Sequence, residues 1–151
     1  MRDVRASLAT PADWPAVAAL RTRVFVDEQG VPPEMEQDAA DATAVHALSR
    51  DGSGTVVATG RLLLHEDGIA AVGRMATDPT ARGKGHGAAV LALLQEEARR
   101  RGAREVELHA QVTARGFYVR AGYHAVGPEY EEAGIVHVTM RIRIAPPPRR
   151  H

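Results

Sequence analysis

The segment RMATDPTARGKGHG, residues 74–87, joins a predicted strand that ends at Thr77 to the start of a long amphipathic helix. Glycines at 83, 85 and 87 let the backbone approach a ligand closely. The unpaired amides at a helix start, together with the helix dipole, favour an anion there. With Arg82 and Lys84 interleaved among the glycines, the pattern predicts a phosphate-binding loop rather than a flexible connector.

Two familiar phosphate loops fit this segment poorly. A Walker A loop needs Ser or Thr directly after its lysine, whereas Lys84 is followed by Gly85, so a nucleoside triphosphatase is unsupported. The letters Gly83-x-Gly85-x-x-Ala88 match a dinucleotide fingerprint, but a polar segment separates the strand from the first glycine. Only about 40 residues follow the next predicted strand, too few for a doubly wound sheet. A dinucleotide-binding oxidoreductase therefore stays the weaker alternative.

Composition sets the outer limits. The 151 residues correspond to one domain, and 44% apolar with 25% charged residues is ordinary for a globular chain. Nineteen basic and nineteen acidic residues cancel, which argues against broad binding to nucleic acid or to an anionic membrane surface. There is no cysteine, so disulfides and thiolate chemistry are excluded. We find no signal peptide and no long apolar run, and we expect a cytoplasmic protein without a membrane span.

Hydrophobic periodicity predicts alternating strands and helices in a mixed α/β domain over residues 1–145, followed by a flexible Pro/Arg tail at 146–151. One helix should run from Pro11 to about Glu28, and residues 30–42 should form an irregular acidic loop. The long helix should end at Gly102, and a short helix should cover 113–121. The expected strands are 2–8, 44–50, 55–64, 69–77, 104–111, 123–127 and 134–144.

Two motifs resemble those of the GCN5-related N-acetyltransferases (GNATs), which transfer an acetyl group from acetyl-CoA. Residues 82–87 match the family's glycine loop, [Q/R]-x-x-G-x-[G/A], and residues 117–123, FYVRAGY, match its aromatic signature after a strand that ends at Gln111. The element order agrees over almost the whole chain. Residues 20–29 and, further on, Glu36, Asp38, Asp41 and His46 resemble the ElaA-like subgroup. The resemblance implies a mixed, mostly antiparallel central sheet of six or seven strands flanked by helices.

The resemblance also implies how acetyl-CoA is held. The pantetheine arm would pair with the backbone of Met75 and Thr77 as an added strand does, and the thioester would lie between this strand and the one ending at Gln111. At Gln111 the family often has an asparagine. The amides that would bind the CoA pyrophosphate are those of Arg82, Gly83, Lys84, Gly85, His86 and Gly87.

Acetyl transfer to an amine needs a proton for the departing thiolate, a stabilised oxyanion and a base. Tyr118, whose ordinary pKa is about 10, is the candidate acid, because the family's tyrosine at this place often points at the CoA sulfur. A backbone amide near Met75 or Ala76 is the candidate oxyanion donor. Glu28 is the candidate base through water, and a solvated glutamate at a helix end is an equally good interpretation.

The acceptor side is less defined. Glu36, Asp38, Asp41 and His46 lack the short paired spacing of a metal site, so we predict no metal, and an acidic loop that attracts a cationic acceptor or stays in water. The acceptor class is a small-molecule or peptide amine, and a homodimer is compatible with the sequence. A CoA-binding regulatory module without turnover is the alternative from another functional class.

Overall fold

The structure is a computed structural model that describes residues 4–145. The predicted tail at 146–151 and the first residues of the predicted strand 2–8 lie outside this range. No helix among residues 4–145 has the length and apolar character needed to cross a membrane.

Within residues 4–145, eight strands and four α-helices follow one another. The strands are β1 Ala6–Leu8, β2 Val45–Arg50, β3 Val56–Leu64, β4 Ile69–Thr77, β5 Glu105–Gln111, β6 His124–Ala125, β7 Tyr130–Glu132 and β8 Ile135–Arg143. The helices are α1 Trp14–Arg21, α2 Pro33–Glu36, α3 His86–Arg100 and α4 Arg115–Arg120. A π-helical segment, Thr22–Glu28, continues α1.

The strands form one sheet in the order β1-β2-β3-β4-β5-β8-β6, with β7 paired to β8. The β1–β2, β2–β3, β5–β8, β6–β8 and β7–β8 pairs are antiparallel, whereas β4 and β5 are parallel. A mixed α/β fold with a mostly antiparallel sheet is therefore confirmed, with eight strands rather than six or seven.

Strand β7 is the strand that the sequence did not reveal. Glu132 pairs with Ile135, so two residues form the turn, and both Ala133 (φ 53°) and Gly134 (φ 78°) have positive φ. That backbone is the tight hairpin turn usually written with Asn-Gly or Asp-Gly. Alanine at its first position hides the turn from sequence inspection.

The chain divides into two compact units. Of the described residues, the first unit contains 4–63 together with Arg74–Leu94, and the second contains Leu64–Gly73 together with 95–145. In the first unit, the apolar face of α1 and the π-helical segment packs into a core of Val17, Leu20, Val24, Leu48, Val56 and Ala76. In the second, alternate residues of β5 and β8 are buried: Val106, Leu108, Ala110, Val138 and Met140.

The predicted helix from Pro11 to Glu28 is correct in extent but not in kind. It begins as a 3₁₀ turn, Pro11–Asp13, in which Asp13 Oδ2 accepts from the Thr10 amide at 2.8 Å. After α1, over Thr22–Glu28, the backbone hydrogen bonds join residues five apart, as in a π-helix. For example, the Gln29 amide donates to the Val24 carbonyl oxygen at 3.1 Å. Apolar spacing reports which face is buried, and it does not distinguish these helix types.

Candidate active site

The glycine loop begins where β4 ends. Asp78 Oδ1 accepts from the Thr80 amide at 3.0 Å and starts a 3₁₀ turn over Pro79–Ala81, and α3 begins at His86. Gly83 (φ 79°) and Gly85 (φ 91°) both have left-handed backbones, and a Cβ at either would meet no atom within 4 Å. The glycines are thus needed for their conformation rather than for space, and the exposed loop leaves its amides open to a ligand.

His86 differs from the rest of the loop because its side chain is buried. Its Nδ1 lies 2.7 Å from Ser49 Oγ in β2, and both side chains are buried. The imidazole therefore ties the first residue of α3 to the sheet. Only the backbone of His86 remains to face a bound anion.

Strand β4 carries an unusual backbone just before Met75. Arg74 has φ 51°, a conformation that costs a residue with a side chain about 1–2 kcal/mol. Its guanidinium donates from Nε to the Glu36 carbonyl oxygen at 3.0 Å and from Nη2 to the Met35 carbonyl oxygen at 3.3 Å. Beyond this kink Ala76 is buried, and Met75 and Thr77 are half-buried. The kink is thus held from outside the strand.

The predicted acidic loop is wrong in character. Residues 30–42 contain α2 and a 3₁₀ turn, Ala39–Ala42, and the Glu36 side chain is only 3% exposed. Its carboxylate pairs with buried Arg21, which also binds Asp41 at 2.8 Å. Arg61 binds Asp38 at 2.7 Å and Asp41 at 2.9 Å.

Arg21 and Arg61 thus pair with all three carboxylates, so the prediction that the loop stays in water is wrong for Glu36 and Asp41, which are 3% and 10% exposed. Asp38 remains 42% exposed, and attraction of a cationic acceptor stays a prediction. Burial by itself would raise the pKa of Asp41, but hydrogen bonds from Arg21 and Arg61 outweigh it and lower this pKa to about 2. The fourth residue of the group, His46, places Nε2 3.0 Å from the Asp41 carbonyl oxygen and packs edge-on against Trp14.

Glu28 lies at the end of the π-helical segment and faces the glycine loop. Its two carboxylate oxygens accept from Arg82 Nη1 at 2.8 Å and from Nη2 at 2.6 Å, while Arg82 Nε donates to the Thr77 carbonyl oxygen at 3.0 Å. The hydrogen bond from Arg82 lowers the pKa of Glu28. The structure thus joins the candidate base to the first residue of the glycine loop, which no local spacing indicates because 54 residues separate them.

Tyr118 and Gln111 lie in the second unit. Tyr118 is 7% exposed, with its ring edge-on to Phe117 at 5.0 Å and to Tyr123 at 5.9 Å. Burial raises the pKa of Tyr118 to about 12. Of the aromatic pair, Tyr118 is thus the more buried ring, and Phe117 is half-buried. Gln111 ends β5, opposite His137 in β8.

Comparison with known proteins agrees with this architecture. Residues 12–144 match the acetyltransferase (GNAT) domain family. Bacillus subtilis YjcF, described as an uncharacterized N-acetyltransferase, is 34% identical over 122 residues, which are 80% of this chain and 86% of YjcF.

Two solved structures extend the likeness to the fold. An acyl-CoA N-acyltransferase from Pseudomonas aeruginosa has a TM-score of 0.78 at 31% identity, covering 92% of this chain and 99% of its own. Escherichia coli ElaA has a TM-score of 0.79 at 26% identity, with 92% and 99% covered. The chain belongs to the GNAT acetyltransferase family, and the resemblance to ElaA is confirmed at the level of a structural neighbour.

Proposed function

We propose that this protein transfers an acetyl group from acetyl-CoA to a primary amine by direct attack of the amine nitrogen on the thioester carbonyl carbon. The observation that carries the proposal is the glycine loop, where Gly83 and Gly85 turn an exposed backbone through left-handed conformations just before α3. Such a backbone presents amides to a diphosphate. Membership of the GNAT family makes acyl-CoA the corresponding donor.

The donor would be held mainly by backbone. In the proposal the amides of residues 82–87 bind the pyrophosphate, and the backbone of Met75 and Thr77 pairs with the pantetheine arm. The oxyanion of the tetrahedral intermediate accepts from an amide near Met75 or Ala76. Because Arg74 is held in place by the carbonyls of Met35 and Glu36, that amide would be aimed before the donor arrives.

The chemical step forms a C–N bond and breaks the C–S bond. In the proposal the CoA thiolate leaves with a proton supplied by the Tyr118 hydroxyl, and the attacking amine loses its proton through water to Glu28. A pKa of about 12 keeps Tyr118 protonated throughout the physiological range, so the proton is present when the thiolate forms. Glu28 is ionised at neutral pH, as any glutamate near its ordinary pKa would be, and the hydrogen bond from Arg82 lowers that pKa further, so Glu28 can accept a proton only transiently.

The first experiment is calorimetric titration of the full chain with acetyl-CoA, CoA and NADH. We expect saturable binding of acetyl-CoA and CoA and none of NADH. Thiol release is then measured with a panel of primary amines and peptide N-termini, which identifies the acceptor class. NADH binding without acetyl-CoA binding would favour the dinucleotide alternative, and acetyl-CoA binding without thiol release for any amine would favour a regulatory module.

A further inference from the structure

Two ion pairs join the π-helical segment Thr22–Glu28 to residues at the start of the glycine loop. The segment supplies the cation in one pair and the anion in the other. At one end, Arg23 Nη2 lies 3.3 Å from Asp78 Oδ2. At the other, Glu28 binds Arg82 with both carboxylate oxygens at 2.6 and 2.8 Å. Asp78 and Arg82 flank the 3₁₀ turn Pro79–Ala81, so the pairs grip the loop on both sides of that turn.

The π-helical geometry explains why both pairs can form. In an α-helix with 3.6 residues per turn, side chains five residues apart point about 140° away from each other. A π-helix bonds residues i and i+5, which brings such side chains towards one face. Arg23 and Glu28 are five residues apart and both reach the same turn. An ordinary α-helix over Thr22–Glu28 would direct one of them elsewhere.

We propose that the π-helical segment acts as a clamp, in that its two ion pairs hold the glycine loop in place. Arg23 and Glu28 are then positioning residues for the diphosphate of acyl-CoA. The inference rests on the proposed function and adds a role for Glu28 that precedes chemistry. Arg82 also donates from Nε to the Thr77 carbonyl oxygen, so the clamp extends to the end of β4. Fixing both ends of a short turn reduces the number of conformations available to the amides that follow it.

A purely structural role for these pairs is the competing explanation, and energetics separates the two. Arg23 is 46% exposed, while Arg82 and Glu28 are 43% and 38% exposed. Exposed pairs of this kind contribute little to global stability. Their loss should therefore change the order of the loop and its affinity for a donor, and leave the unfolding midpoint nearly unchanged.

The test uses Arg23→Gln and Glu28→Gln, with Asp27→Asn as the matched control that removes a neighbouring exposed charge. Hydrogen–deuterium exchange is measured over residues 78–87 in the ligand-free protein, and the Kd for acetyl-CoA is measured by calorimetry at low and high salt. We expect faster exchange and about two- to fivefold weaker binding in both clamp variants, with a smaller difference from wild type at high salt. Asp27→Asn should match the wild type, and Arg23→Lys should restore binding in part.

The outcomes separate the clamp from the other proposed roles. Arg23 cannot accept a proton, so weaker donor binding in Arg23→Gln supports positioning independently of the base proposed at Glu28. Unchanged exchange and unchanged Kd in both variants overturn the clamp, as does tighter binding in Glu28→Gln, which would mean that Glu28 merely competes with the diphosphate for Arg82. A wild-type chain that fails to bind acetyl-CoA overturns the proposed function instead, and the exchange rates still decide the clamp.

Discussion

The guanidinium of Arg74 donates to the backbone carbonyl oxygen of Glu36 at 3.0 Å across 38 residues of sequence. Arg21 Nη2 donates to the same carbonyl oxygen at 3.0 Å. Arg74 is also the residue of β4 with a left-handed backbone, φ 51°. A strained position in the strand that carries Met75 and Thr77 is thus held by a neighbouring segment, and backbone strain of this kind persists only where the surroundings impose it.

Arg74 offers a direct test of that strain. Arg74→Ala and Arg74→Gly both remove the guanidinium, but only alanine keeps a Cβ at φ 51°. We expect Arg74→Gly to be more stable than Arg74→Ala by about 1 kcal/mol in urea unfolding. At exposed Arg143 in β8, which has no positive φ, the order should reverse because glycine weakens a strand. Equal stabilities of the two Arg74 variants would contradict the strain.

The half-buried carboxylate of Asp41, paired with Arg21 and Arg61, should make the protein sensitive to acid. Its pKa is lowered from 3.8 to about 2 in the folded chain, so the unfolded chain takes up a proton first as pH falls. Stabilisation of about 2 kcal/mol is present above pH 4 and is lost as pH falls through 2.

Urea unfolding between pH 6 and pH 2 measures this loss. Asp41→Asn should be less stable than wild type at pH 6, because Arg21 and Arg61 lose a charged partner. The difference between variant and wild type should shrink at low pH. A constant difference over the whole range would contradict the assignment.

The glycine loop should respond to the loss of its left-handed backbone. Gly85→Ala places a Cβ in open space at φ 91°, so the variant folds with a strained or rearranged loop. We expect the Kd for acetyl-CoA to rise about tenfold, which corresponds to about 1.4 kcal/mol.

Gly54→Ala is the matched control for this variant. Gly54 has φ 87° and equally open space, but it lies in the turn between β2 and β3. Its substitution should lower stability by a similar amount and leave the Kd unchanged. A Kd that changes equally in both variants would mean that the effect on binding is not local to the loop.

Tyr118→Phe tests the proposed acid. We expect kcat for acetyl transfer to fall about 100-fold or more, with the Kd for acetyl-CoA nearly unchanged. Since burial raises the pKa of Tyr118 to about 12, its hydroxyl stays protonated at pH 10. The rate of the wild type should therefore not decline near pH 10 through loss of the Tyr118 proton.

Tyr123→Phe is the control for the loss of a hydroxyl. The Tyr123 hydroxyl donates to Gln95 Oε1 at 2.8 Å, so its loss should cost about 1 kcal/mol of stability and leave kcat within a few-fold of wild type. A normal kcat in Tyr118→Phe would remove Tyr118 from the mechanism.

Local features explain why much of the fold could be predicted. Period-two and helical patterns located β2 to β5, β8 and α3, because burial on one face leaves a repeat in the sequence. The π-helical segment and β7 were not predicted, because the feature that distinguishes each of them is its backbone geometry. The hydrogen bonds of Thr22–Glu28 and the left-handed Ala133 leave no characteristic residue pattern.

The candidate site divides in the same way. The sequence by itself determined the glycine loop, since close backbone approach and left-handed turns demand glycine within a few adjacent positions. It also showed the aromatic signature around Tyr118, because that motif lies within residues 117–123. Only the tertiary structure decided that Glu36 and Asp41 pair with Arg21, and that Glu28 binds Arg82. The sequence does not show whether a charged side chain is solvated or paired with another charge. That depends on which distant partner the fold brings within hydrogen-bonding distance.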